Sequence, residues 1–182
     1  MATVGWVIWV GDAGMTRRLF FALWPDEETR AALVEVSRLA LRVGTGRAVA
    51  ADNYHLTLAF LGDQSAHQVK RMAVPASVAA PDFELVLDHF GHWSRPQVLW
   101  LGPQLCPPGL TALVAQIRAG LDLSGISYDG RDFRPHLTLA RKVTAIAELA
   151  APAPVHWRVS SFALVESVTT PTGPVYEVVQ QY

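Results

Sequence analysis

An α+β fold of two pseudo-symmetric lobes is the architecture this sequence predicts, with mostly antiparallel sheets, helices outside and a central cleft. Three observations carry it. The pentapeptide His-Leu-Thr-Leu-Ala occurs twice, at residues 55–59 and 136–140. Each copy follows the same succession of an apolar strand-like run, a proline and a helical stretch. Short segments in which apolar and polar residues alternate follow each copy and read as strands.

The elements can be taken in order. Residues 1–14 read as an extra N-terminal segment, disordered or artefactual. Their apolar run, residues 4–10, is short and no Lys or Arg precedes it, which fits a secretory signal poorly. A single domain is expected over residues 15–182, with approximate halves 15–95 and 96–182. Residues 19–25 (LFFALWP) form the first strand and its terminating proline, and residues 26–43 a helix. Asp26, Glu27 and Glu28 supply a cap and acidic residues at the positive end of the helix dipole. Ala31, Leu33, Val34, Val36, Leu39 and Ala40 supply an apolar face.

After the first pentapeptide, residues 65–80 form a weaker helix interrupted by Pro75, and residues 83–90 (FELVLDHF) one half-buried strand. The second half repeats the plan with a strand at 98–103 (VLWLGP) and a helix at 109–121. Leu110, Leu113, Val114, Ile117 and Leu121 fall there at helical spacing. The proline-to-histidine spacing is 30 residues in one half (25 to 55) and 33 in the other (103 to 136). A weaker helix at 143–151 and strands at 155–159, 162–168 and 175–179 complete the chain, with a hairpin turn at 169–174 (TTPTGP).

Composition narrows the function. Half the residues are apolar (51%), enough for a sizeable core in a chain of 182. Lys+Arg total 15 against 16 Asp+Glu, so a protein that coats long duplex nucleic acid is disfavoured. A nucleic-acid ligand would be gripped at a short end or as a single nucleotide. The one cysteine, Cys106, excludes an internal disulfide and a multi-cysteine metal cluster, and it reads as a buried or loop thiol rather than a nucleophile. There is no Gly-x-x-x-x-Gly-Lys loop, His-Glu-x-x-His or Cys-x-x-Cys, and Gly44-Thr45-Gly46 lacks the third glycine of a dinucleotide loop. No metal and no organic cofactor are expected. No apolar run approaches the roughly 20 residues that span a bilayer. A cytoplasmic, monomeric enzyme is the expectation.

The pentapeptide itself suggests the chemistry. Alternate strand residues share a face. His55, Thr57 and Ala59 are then expected on one face with Leu56, Leu58 and Phe60 on the other, and likewise His136, Thr138 and Ala140 against Leu137 and Leu139. A single His-x-Thr is more often an ordinary polar strand face, but two copies in matching contexts reverse that judgement. Together they offer two imidazoles and two hydroxyls to one cleft. In-line attack at phosphorus needs a base for the nucleophile's proton and an acid for the leaving oxygen. Histidine serves as either near neutral pH. Threonine hydroxyls can hold the non-bridging oxygens.

On these residues the chain resembles the 2H phosphoesterase superfamily, defined by two His-x-Thr-x motifs. More closely it resembles the RNA 2′,3′-cyclic phosphodiesterase group, also called 2′-5′ RNA ligase. The resemblance includes residues 18–25 (RLFFALWP), 53–62 (NYHLTLAFLG), 133–142 (FRPHLTLARK) and 162–167 (FALVES). It implies that His55 and His136 are the acid and base, and that Thr57, Thr138 and Arg141 bind phosphate. It also implies a substrate of RNA 3′ ends or nucleotides bearing a 2′,3′-cyclic phosphate, opened to a 2′-phosphate. Strand parity puts Arg141 on the wrong face, so the strand must end or bulge near Ala140 for it to reach the cleft. Phe60, its counterpart, is expected in the core.

Tyr54, Phe133 and Arg134 adjoin the motifs and are candidates to touch a nucleobase. Trp24, Trp100 and Trp157 read as core residues, His67 and His156 as exposed, and His89 and His92 as structural or solvent-facing. Two other functions compete with hydrolysis: joining of tRNA halves through a 2′-5′ linkage by the same histidines, and a catalytically silent RNA-end-binding module.

Overall fold

Five consecutive apolar residues, 19–23, cannot alternate between core and solvent and must belong to a strand covered on both faces. In the computed structural model, which describes residues 16–42, 46–72, 78, 81–144, 149–171 and 173–182, all five are buried in strand β1 (Thr16–Leu23). β1 lies between β3 (Leu56–Ser65) and β9 (Ala163–Thr170), antiparallel to both. Residues 1–14, read as an extra segment, lie outside the described residues.

Helix α1 (Glu27–Leu41) begins where expected. The Asp26 side chain accepts a hydrogen bond from Thr29 N at 2.8 Å, with Glu27 and Glu28 in the first turn. Its buried stripe is narrower than the sequence suggests: Leu33, Val36 and Ala40 are buried, whereas Ala31 and Leu39 are exposed. A short strand β2 (Arg47–Ala48) and a 3-10 turn (Ala51–Asn53) lead into β3. Of the weak helix at 65–80, the part Ala66–Arg71 forms α2, opened by a capping box between Ser65 and Gln68. Residues 73–77 and 79–80 lie outside the described residues, as do 145–148 of the weak helix at 143–151. The flanking residues there, 143–144 and 149–151, are not helical.

Residues 83–90 are not one strand. β4 (Phe83–Leu87) pairs with β8 (Val155–Val159), whereas β5 (His89–Trp93) pairs with β6 (Val98–Gly102) in another sheet. Asp88 is the crossing point. Its N–H donates to Gly102 O at 3.1 Å and its carboxylate accepts from Gln104 N at 2.8 Å, which ties the crossing to the end of β6. Helix α3 (Pro108–Ser124) buries all five residues chosen from its periodicity and ends on Gly125 at φ 65°, the left-handed cap that glycine adopts without strain. β7 (Leu137–Arg141) carries the second motif. β9 and β10 (Gly173–Gln181) form the expected hairpin.

The large sheet has the order β10-β9-β1-β3-β7-β6-β5, with β2 paired to β7; β4-β8 is a separate two-stranded sheet. Strand order reveals the duplication. β9-β1-β3 and β5-β6-β7 mirror one another about the β3–β7 pair. The α+β class with mostly antiparallel strands holds, and the two sub-sheets meet edge to edge to form one sheet. A single cluster, including Leu33 of α1, Leu113 and Ile117 of α3, Leu85 and Trp157 of the small sheet and the motif leucines, packs one face. Burying each such side chain contributes roughly 1.5–3 kcal/mol. Among the described residues the other face carries a small cluster, Phe20, Ala22, Ala163 and Val165.

Candidate active site

The two sub-sheets join through one residue pair, Leu56 opposite Leu137, the residues that follow the two histidines. Residues opposite one another in an antiparallel ladder share a face. Both leucines are fully buried in the core. His55, Thr57, His136 and Thr138 therefore emerge together on the opposite face, all half-buried. The crossing sets His55 toward Thr138 and Thr57 toward His136.

Beyond that point the alternation breaks, at the same place in both motifs. Phe21 pairs with Ala59 and Ala22 with Thr57, which leaves Leu58 unpaired; Leu99 pairs with Ala140 and Trp100 with Thr138, which leaves Leu139 unpaired. Each bulge falls on the third residue after the histidine, and each reverses parity. Ala59 and Ala140 consequently join the core rather than the cleft face where alternation put them. Phe60 and Arg141 then turn the other way. Phe60, expected in the core, is half-buried on the cleft side with the Arg18 guanidinium 4.9 Å from its ring centroid. Arg141 reaches the site. The required irregularity is a β-bulge one residue before Ala140.

Each histidine is fixed the same way. His55 Nδ1 lies 2.7 Å from Asn53 O, and His136 Nδ1 lies 2.7 Å from Arg134 O. A carbonyl only accepts, so each Nδ1 carries the proton and donates, leaving each Nε2 free with its lone pair. Their surroundings differ. His55 is enclosed by three rings: Trp24 stacked at 5.8 Å and 12°, Phe20 at 4.9 Å and Tyr176 edge-on at 4.9 Å. His136 meets Trp93 edge-on at 4.6 Å. A cavity of about 460 Å³ beside His55 and Thr57 is lined also by Arg18, Phe60, Arg141 and Tyr176.

The site is electropositive and partly dry. Burial pushes the His55 imidazole down from 6.5 to about 4 against its hydrogen bond to Asn53, with Arg141 and then His136 adding repulsion. Burial and Arg141 likewise lower His136, against its bond to Arg134. In the unfolded chain His55 titrates near 6.5 and takes up a proton that the folded site refuses. Stability is therefore expected to fall by roughly 3 kcal/mol as pH drops from 6.5 to about 4, and to flatten below that. Urea unfolding from pH 4 to 7 should show this slope. His55→Gln should remove most of it; an unchanged slope in the variant would mean that His55 is not held neutral.

The remaining candidates fall out differently. Tyr54, expected at a nucleobase, is 3% exposed in the core and donates to Ser37 Oγ at 2.9 Å, so it does not face the cleft. Phe133 packs half-buried against the core edge, and Arg134 is exposed with its carbonyl engaged by His136. Trp157 is core, as expected. Trp24 is not: it lies half-buried against His55. Trp100 is also half-buried, on Trp93 and above Gly91, where any Cβ would come within 2.0 Å of the indole. His67 and His156 are exposed, the latter against Glu84; His89 is exposed, and His92 donates to Val143 O. Cys106 is exposed. Among the described residues no group of His, Cys, Asp and Glu could hold a metal ion, and no helix is long and apolar enough to cross a membrane.

Phe20, Trp24, Tyr176 and Trp93 are the site residues that sequence reading missed. Phe20 and Trp24 lie in an unbroken apolar run, residues 19–24, in which nothing marks a cleft face. Tyr176 and Trp93 arrive only through strand pairing.

Comparison with known proteins agrees with the geometry. The family model for the 2′-5′ RNA ligase superfamily matches residues 25–171. An RNA 2′,3′-cyclic phosphodiesterase of Escherichia coli is 38% identical over 82% of this chain and 84% of its own length. One of Thermus thermophilus is 31% identical over 91% and 89%. Among solved structures, E. coli LigT in its apo form superposes with a TM-score of 0.81 at 34% identity, covering 93% of this chain and 98% of that one. LigT has also been solved in complex with 3′-AMP and with phosphate.

Proposed function

The chain belongs to the 2′-5′ RNA ligase superfamily, and on that premise we propose that it hydrolyses terminal 2′,3′-cyclic phosphates of RNA to 2′-phosphomonoesters. The observation that carries this reading is the meeting of two imidazoles, each with a free Nε2, beside two threonines and one guanidinium at the β3–β7 crossing.

His136 is the base. Among the described residues it has a single ring neighbour, Trp93, and is the more open of the pair, as activation of a water requires. Its Nε2 takes a proton from water as the water oxygen bonds to phosphorus. The P–O3′ bond breaks on the opposite side, and His55 Nε2–H gives its proton to the departing 3′ oxygen. His55 must be protonated in the complex, although burial and Arg141 hold it neutral in the free site. The anionic phosphate supplies the change, because its charge offsets Arg141 and favours the imidazolium. Thr57, Thr138 and Arg141 hold the non-bridging oxygens. The LigT complexes with 3′-AMP and phosphate contain ligands of the matching chemical class.

An oligonucleotide ending in a 2′,3′-cyclic phosphate separates the alternatives. A 2′-phosphate end is expected, at a rate unchanged by excess chelator. A 2′-5′-joined product from a 5′-hydroxyl partner would favour ligation, and binding without turnover a silent module. A chelator-induced loss restored by added metal would contradict the two-histidine chemistry.

A further inference from the structure

Like charges placed directly opposite one another in a β-ladder repel and destabilise the pair. β2 and β7 contain such a pair: Arg47 stands opposite Arg141. Both are exposed, and among the described residues neither has a carboxylate partner. Arg17, Arg38, Arg131 and Arg158 each have one. Opposite residues share a face, so Arg47 leaves the ladder on the side that carries Arg141.

The two guanidinium groups have different destinations. The charge of Arg141 reaches both histidines. Arg47 instead reaches the tip of the β9–β10 hairpin, where its Nη2 would lie 3.2 Å from a Cβ on Gly173. Gly173, at φ 127°, has no Cβ, and this leaves room for the guanidinium. The tip is tied down beside the site, because Asn53 Nδ2 donates to Pro174 O at 3.0 Å just ahead of His55. Pro174 and Arg141 line the same cavity. Arg47 therefore brings its charge to the hairpin tip, next to the Pro174 that lines that cavity, beside the reacting centre but outside it.

We propose that Arg47 binds the phosphodiester on the 5′ side of the terminal nucleotide, so that an RNA end is held by two consecutive phosphates. This rests on the reading of the site as a cyclic phosphodiesterase. Arg141 takes the cyclic phosphate and Arg47 the next one along the strand. Both positive charges of the cross-strand pair are then neutralised by ligand. A mononucleoside cyclic phosphate fills only the first position, whereas a dinucleotide fills both.

The test compares adenosine 2′,3′-cyclic phosphate with the adenosine dinucleotide ending in the same group. For the wild type, kcat/KM should be clearly higher on the dinucleotide. Arg47→Gln should lower kcat/KM on the dinucleotide about tenfold and change it less than twofold on the mononucleotide. Arg47→Lys should keep much of the preference, since a point charge still pairs with phosphate. The slope of log kcat/KM against log salt for the dinucleotide should become shallower by about 0.7 in Arg47→Gln, the loss of one phosphate contact to a single strand. Equal losses on both substrates, or none on the dinucleotide, in a variant that melts like the wild type would overturn the proposal. If the wild type opened neither substrate, the reading of the site itself would fail instead.

Discussion

Replacing His136 with alanine is expected to stop hydrolysis of an RNA cyclic phosphate and of an activated nitrophenyl phosphodiester alike. His55→Ala should stop only the first. A positioned acid or base contributes about 10²–10⁴-fold, so either variant should lose at least about a hundredfold on RNA. The nitrophenolate leaves without a proton, which makes an acid dispensable while a base is still required. Retained nitrophenyl activity in His55→Ala and its loss in His136→Ala is the predicted pattern. The opposite pattern would exchange the two roles. The asymmetry has a physical source: three rings enclose His55 and one touches His136.

Arg141→Ala should cost about 10²–10³-fold, the range for removing one preorganised group from a developing phosphate charge. Arg141→Lys should recover only part of it, because an ammonium cannot reproduce a forked contact. A second readout separates charge from packing. Arg141 lowers the pKa of both histidines, so its removal should raise both and move the kcat/KM optimum to higher pH. Full activity in Arg141→Ala, with no shift in the optimum, would place the guanidinium outside the chemistry.

The sequence made the chemistry more legible than the geometry. The repeated pentapeptide exposed the duplication and both His-Thr pairs, because a histidine at one strand position in two matching contexts is hard to assign to packing. Strand parity even showed that Arg141 needed an irregularity. It could not show that the same bulge occurs in both halves, since a bulge is defined by the partner strand: Leu58 and Leu139 look like any other strand leucines until β1 and β6 skip them. Phe60 and Ala59 were misassigned for that one reason. Tyr54 beside the histidine looked like a base platform, but it follows the turn inward to Ser37 of α1. The aromatic wall around His55 joins residues distant in sequence, Trp24 and Tyr176, and neighbouring positions in one chain carry no trace of it. Residues 83–90 contain no glycine or proline to mark a break, yet Asp88 sends the two ends to different sheets.

The central claim is that one neutral and one protonated imidazole act together, with the substrate's own charge supplying the condition for the second. The pH dependence of kcat/KM and of kcat on one cyclic-phosphate oligonucleotide tests it most directly. kcat/KM reports the free site, where both histidines lie below 6.5 and His55 near 4. Its profile should be a bell centred on the acid side of 6.5. kcat reports the complex, in which the bound phosphate raises the imidazoles, so its bell should be displaced to higher pH. Profiles flat from pH 5 to 9, or a kcat bell that coincides with that of kcat/KM, would contradict the account.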